Sequence, residues 1–135
     1  MSDTEAIVRN FYAALGRGDA LSALALLDGA VEWTEAERSP YYAGTTKGVD
    51  AVVKTVLEPI NRDFEDFVCA PSDFITQGDR TASFGCYTGR ARRSGEALSA
   101  PFVHVWTVRG GKIARFVQYT DSAAWAGLSR ADESV

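Results

Sequence analysis

Hydrophobic residues along this chain change their spacing once. Before residue 64 they mostly recur every three or four positions, the period of a helix with one buried face; after it they alternate with polar residues, as in half-buried strands. Ile7, Val8, Phe11, Tyr12, Ala14 and Leu15 form the first helical stripe, entered through the capping-box spacing Ser2–Glu5 and stopped by Gly16 and Gly18. Asp19 is placed to cap a second helix bearing Leu21, Leu24 and Leu27, which Asp28-Gly29 ends. Val31, Trp33 and Glu35 alternate with Glu32 and Thr34 and predict a short strand, while the run from Arg38 to Gly48 reads as loop. A third helix opens at Gly48-Val49-Asp50, carries Val52, Val53, Val56, Leu57 and Ile60, and must kink or stop near Pro59.

Strand-like runs then cover residues 64–77, 81–93, 96–109 and 112–120, parted by Gly78-Asp79, Ser94-Gly95 and Gly110-Gly111, which describes an antiparallel meander. The order ααβαββββ points to an α+β fold with about three N-terminal helices packed on one face of a strongly curved sheet. Gly85 and Gly89, inside long strands, let such a sheet curl around a cavity. With 135 residues and no linker or repeat, one domain over 1–135 is expected.

The last hairpin concentrates the chemistry. A two-residue turn at Gly110-Gly111 pairs Val108 with Ile113, and strict alternation from there puts Phe102, His104, Trp106 and Val108 on one face with Ile113, Arg115, Val117, Tyr119 and Asp121. The single histidine and a carboxylate thus share an aromatic face, expected to line a pocket. An offset of four residues separates them by about 13 Å on a flat sheet, too far for a dyad but suited to the two sides of a bound ligand. Trp33, Phe102, Trp106 and Tyr119 are candidate walls, and Tyr87 is a candidate hydroxyl donor at the rim. Arg115 on that face needs a counter-ion, or a bulge that shifts the register. The opposite face, Val103, Val105, Thr107, Phe116 and Gln118, is too apolar to leave in water and predicts a homodimer through the outer sheet.

Composition narrows the classes. A net charge of −4 and a pI near 4.9 exclude a basic surface for nucleic acid or anionic membrane, and the one basic cluster, Arg90, Arg92 and Arg93, flanks a turn. No apolar stretch approaches a membrane span and no export signal opens the chain, so a cytoplasmic location is expected. Cys69 and Cys86 lack metal-ligand spacing and read as free thiols; neither metal nor cofactor is expected.

The segments FYAALGRGD (11–19), VEWTEA (31–36), YAGTTKG (42–48) and PFVHVWTVRGGKIARFVQYTDSAAW (101–125) resemble the SnoaL-like branch of the nuclear transport factor 2-like superfamily, with its ketosteroid isomerases, polyketide cyclases and limonene epoxide hydrolases. The resemblance implies a cone-shaped α+β barrel with a blind apolar pocket, commonly a homodimer. Ketosteroid isomerases place a base, a first-helix tyrosine and a protonated aspartic acid where this chain has Trp33, Phe11 and His104, so their chemistry is not carried over intact. The SnoaL-type cyclases use an aspartate at the end of the final strand, the position of Asp121.

These readings together give a cofactor-independent isomerase or cyclase for a small apolar carbonyl compound of polyketide, steroid or terpenoid type. Asp121 serves as base, His104 as hydrogen-bond donor or acid, and Trp33, Phe102, Trp106, Tyr119, Tyr87 and Phe11 as substrate contacts. An epoxide hydrolase and a non-catalytic binding or dimerisation module stand as alternatives. Asp121 also reads as the N-cap of a C-terminal turn, His104 as a satisfied core residue, and Glu35 as a solvated strand end or a second pocket carboxylate.

Overall fold

In the computed structural model, which describes residues 2–129, the first stripe forms α1 (Asp3–Gly16), with the Ser2 hydroxyl accepting the Glu5 N–H. Asp19 caps α2, but that helix covers only Ala20–Leu24, because Leu27 has already joined the sheet opposite Ile113 and opens β1 (Leu27–Thr34). The stretch expected as loop contains a short strand, β2 (Thr45–Lys47), antiparallel to the end of β1. The third helix runs as α3 (Val49–Val52), a π-helical turn (Val53–Leu57) and α4 (Glu58–Asp63). Pro59 falls in the first turn of α4, where a missing N–H costs least, and the wide turn before it takes up the interruption.

Long strands follow: β3 (Phe64–Gln77), β4 (Arg80–Ala91), β5 (Ala97–Arg109) and β6 (Lys112–Thr120), then a single turn, α5 (Ser122–Trp125). The six strands form one mixed sheet in the order β2-β1-β6-β5-β4-β3, antiparallel throughout except for the parallel pair β1 and β6. This is the expected α+β architecture, with the sheet open rather than closed into a barrel: β2 and β3 are its edges. Strong bending shows at Gly85, where a Cβ would stand 2.2 Å from the Ala70 carbonyl and 2.6 Å from the Phe102 ring. Only glycine lets the backbones approach so closely.

The register of the final hairpin differs from strict alternation. Val108 does pair with Ile113, but Thr107 pairs with Arg115, so Ala114 is bulged out and every later residue of β6 changes face. Phe116 and Gln118 therefore point inward, while Arg115, Val117 and Tyr119 point outward. The bulge keeps the Arg115 guanidinium in water instead of burying it without a counter-ion.

Two apolar clusters sit under the helices. One joins Val8, Phe11 and Ala14 to Val31, Trp33, Trp106, Ile113 and Phe116; the other joins Tyr41, Phe64, Tyr87, Leu98, Phe102 and Trp125. Cys69 packs against both, and it and Cys86 are free thiols. Among the described residues no helix is long and apolar enough to cross a membrane.

Candidate functional site

Where the two clusters meet, polar side chains are drawn together out of water. His104 on β5 is 3% exposed, with Phe102 stacked on its ring at 4.0 Å. Its Nδ1 lies 2.5 Å from the Tyr12 hydroxyl and its Nε2 is hydrogen-bonded to the Tyr87 hydroxyl. Tyr12 reaches inward because α1 buries the face carrying Val8, Phe11 and Tyr12. Its oxygen is 2.5 Å from Ser83 Oγ and accepts the Trp106 indole N–H at 3.2 Å. On the far side, Gln118 Nε2 donates to the Tyr87 oxygen at 2.7 Å and Gln118 Oε1 accepts the Ala36 N–H at 3.1 Å.

Glu35 closes the chain of contacts. It follows the last residue of β1, is 4% exposed, accepts the Trp33 indole N–H at 3.0 Å and is hydrogen-bonded to Gln118. Burial raises its pKa to about 7, against the pull of those two donors. Burial lowers the pKa of His104 well below the usual imidazole value and keeps the ring neutral, and it raises those of Tyr12 and Tyr87 so that both hydroxyls stay protonated. Every buried side-chain nitrogen and oxygen among the described residues has a partner, so the network is fully satisfied.

A cavity of about 610 Å³ opens beside this network, between α1, the π-helical turn with α4, and β3. Its walls are largely apolar, including Leu15, Leu24, Leu57, Phe64 and Phe67, with Glu58, Asn61, Asp66 and Arg92 among the polar residues lining it. Tyr12 brings the network to its wall, and Cys69 lines the cavity as well. Cys69 is close enough to Glu35 that the carboxylate's charge, after burial itself, raises the thiol's pKa. Among the described residues no three His, Cys, Asp or Glu side chains gather as metal ligands.

The structure thus unites some of the expected residues and separates others. His104, Tyr87, Phe102, Trp106 and Trp33 converge, although Tyr87 is 5% exposed rather than at a rim and the two indoles act as donors as well as walls. Phe11 lies behind them, packed against Trp33 and Trp106. Tyr119 leaves the site: the bulge turns it to the outer face, 58% exposed. Asp121 leaves it too, being exposed with its carboxylate accepting the Ala123 N–H as the N-cap of α5. Glu35 is the reverse case, a buried carboxylate instead of a solvated strand end. Tyr12 and Gln118 belong to the site without having been singled out; Tyr12 is the polar member of the first helical stripe, and Gln118 is hidden until the bulge is known.

The family model of the SnoaL-like domain matches residues 8–116. Among solved structures, an NTF2-like protein from Burkholderia thailandensis is 32% identical with a TM-score of 0.87, over 93% of this chain and 96% of that one. An NTF2-like protein from Burkholderia pseudomallei is 31% identical with a TM-score of 0.85, over 96% and 99%. TerC, co-crystallised with polyporic acid, is 29% identical with a TM-score of 0.83, over 94% and 98%. No curated protein matches the sequence significantly. The fold, the length of the match and these identities agree: the chain belongs to the SnoaL-like family of NTF2-like proteins.

Proposed function

We propose that the protein is a cofactor-independent isomerase or cyclase of small, largely apolar carbonyl compounds, with Glu35 as base and Tyr12, backed by His104, as the group that receives the developing oxyanion. The observation that carries this reading is the satisfied network that runs from Glu35 to Tyr12, whose Tyr12 end lines a largely apolar cavity. A carboxyl with a pKa of about 7 is ionised often enough at neutral pH to accept a proton and basic enough to take it from carbon. Glu35 removes a proton α to the carbonyl, the C–H electron pair becomes the enolate double bond, and the carbonyl oxygen takes the negative charge. The Tyr12 hydroxyl donates to that oxygen in a site screened from water. Protonated Glu35 then returns the proton at another carbon, which isomerises the substrate. Alternatively the enolate carbon attacks a second carbonyl of the same molecule, forming a ring bond and an alkoxide that takes the proton. This assignment moves the base from Asp121 to Glu35, since Asp121 is exposed and its carboxylate is engaged in capping α5.

The likeness to TerC favours an aromatic, oxygen-rich ligand, for which polyporic acid is a ready binding probe. The functional test is deuterium exchange at the α-carbon of a panel of aryl ketones and β-dicarbonyls, followed by NMR. The wild type should catalyse exchange on some members and Glu35→Gln should not; full exchange by that variant would end the reading and favour a binding module.

We also propose that two copies pack through the outer sheet face. With the bulge in place that face carries Val103, Val105, Val117, Phe84 and the exposed Tyr119 and Ile75, while Phe116 and Gln118 are inside. Sedimentation at micromolar concentration should give a dimer, and Val105→Glu should split it without disturbing the cavity.

A further inference from the structure

We infer that Gln118 is a positioning residue that fixes the direction of every hydrogen bond in the network, holding His104 as the Nδ1–H tautomer and leaving Tyr12 able to act toward a ligand only as a donor. The argument is one of counting protons. A backbone N–H can only donate, so the Gln118 atom facing Ala36 must be the amide oxygen, and the amide nitrogen must face Tyr87. That nitrogen has no lone pair to offer, so the Tyr87 oxygen receives its N–H at 2.7 Å. Tyr87 is 5% exposed, and among the described residues its hydroxyl bonds only to Gln118 and His104. Its single proton therefore goes to His104 Nε2, or else is buried without an acceptor.

The rest follows. A neutral imidazole carries one N–H, so His104 Nε2, as acceptor, leaves the proton on Nδ1, aimed at the Tyr12 oxygen 2.5 Å away. That oxygen then accepts both the His104 and the Trp106 N–H groups, and the Tyr12 proton is left for Ser83 Oγ at 2.5 Å. Ser83 accepts from Trp106 at 3.0 Å and passes its own proton to the His104 carbonyl at 3.5 Å. In the opposite arrangement, with Tyr12 donating to Nδ1 and Nε2–H donating to Tyr87, the Tyr87 proton would have nowhere to go. The consequence for ligands rests on the proposed function: with its lone pairs engaged, Tyr12 can swing its proton from Ser83 to an acceptor oxygen, a carbonyl or enolate, and has nothing to offer a ligand hydroxyl that needs an acceptor.

Because the chain has a single histidine, the tautomer can be read directly from the imidazole 15N shifts of the ligand-free protein. The wild type is expected to show a protonated Nδ1 and an unprotonated Nε2, the minority form of a free imidazole. Gln118→Glu puts an acceptor oxygen where the amide donor faced Tyr87, gives the Tyr87 proton a second destination and should let the Nε2–H form appear. A wild type in the Nε2–H form, a result that does not depend on any variant folding, overturns the inference. So does a folded Gln118→Glu protein that keeps the Nδ1–H form undiminished. Neither measurement involves turnover, so loss of the catalytic reading through Glu35→Gln would leave the tautomer result standing and would withdraw only its consequence for ligands.

Discussion

β1 and β6 lie side by side and parallel, and each delivers the chain to a carboxylate just past its C-terminal end: Glu35 after Thr34, Asp121 after Thr120. The two acids meet opposite fates. Thr34 stands beside Val117, so Glu35 comes to rest near Gln118, under the helices and out of water. β6 runs three residues further, past the end of its pairing with β1, and Asp121 emerges into solvent to cap α5. Both are carboxylates at strand ends, and the pairing register separates a buried carboxyl with a pKa raised to about 7 from an exposed helix cap. A carboxylate at the end of a strand is thus a functional candidate only once the length of its neighbour is known.

The sharpest way to break this comparison is to neutralise both acids. Glu35→Gln should lower turnover by the ~10²–10⁴-fold of a lost acid–base group, while Asp121→Asn should leave it within about twofold. Steady-state rates on whichever ketone exchanges fastest decide the matter, and equal losses from the two variants would abolish the distinction. Next in size is Tyr12→Phe. It keeps the ring that packs against Trp106 and Phe74 but removes the hydroxyl proposed to receive the oxyanion, so kcat should fall ~10²–10³-fold, with KM little changed. A rise in KM at constant kcat would make Tyr12 a ground-state contact only.

Much of the fold was legible because it rests on periodicity. The capped first helix, the meander after residue 64 and the Gly110-Gly111 turn all stand where the pattern puts them. The site was legible only to the point where a single residue reverses faces. Nothing in the alternation of β6 marks Ala114 as the bulge; the sole warning is Arg115, which alternation would have buried. Before that shift Tyr119 looks inward and Gln118 outward, and the carboxylate that shares a face with His104 is Asp121. After it, His104 stands opposite Gln118, and Gln118 leads to Glu35. Tyr12 was hidden for another reason: a tyrosine in an amphipathic stripe reads as core until its hydroxyl is found to have partners.

The buried member of the pair should also leave a mark on stability. The Glu35 pKa is raised in the folded state, from 4.5 to about 7, so the folded protein holds a proton that the unfolded chain releases. Stability should therefore fall as pH rises through that window, with the full cost present above pH 7. The shift corresponds to about 3 kcal/mol, an upper figure at 1.36 kcal/mol per unit. Glu35→Gln carries no such charge and should unfold at higher denaturant than the wild type at pH 8, with the gap closing toward pH 4.5. Urea titrations across that range measure it, and a gap independent of pH would mean that burial does not raise the Glu35 pKa.

The smallest effect belongs to the exposed member. Asp121 satisfies the Ala123 N–H, and the turn it starts holds Trp125, 1% exposed, against the Tyr87 ring at 5.1 Å. Asp121→Ala removes a cap and should cost about 1 kcal/mol, whereas Asn, a cap of similar quality, should cost almost nothing. The loss is expected to be local. Amide exchange should quicken at Ala123 and Trp125 in the alanine variant, with the pH profile of turnover unmoved because Glu35 is untouched. A shifted profile in Asp121→Ala would show that the two strand ends communicate, through Trp125 and Tyr87, and that the exposed carboxylate reaches the site after all by way of the residue its helix packs there.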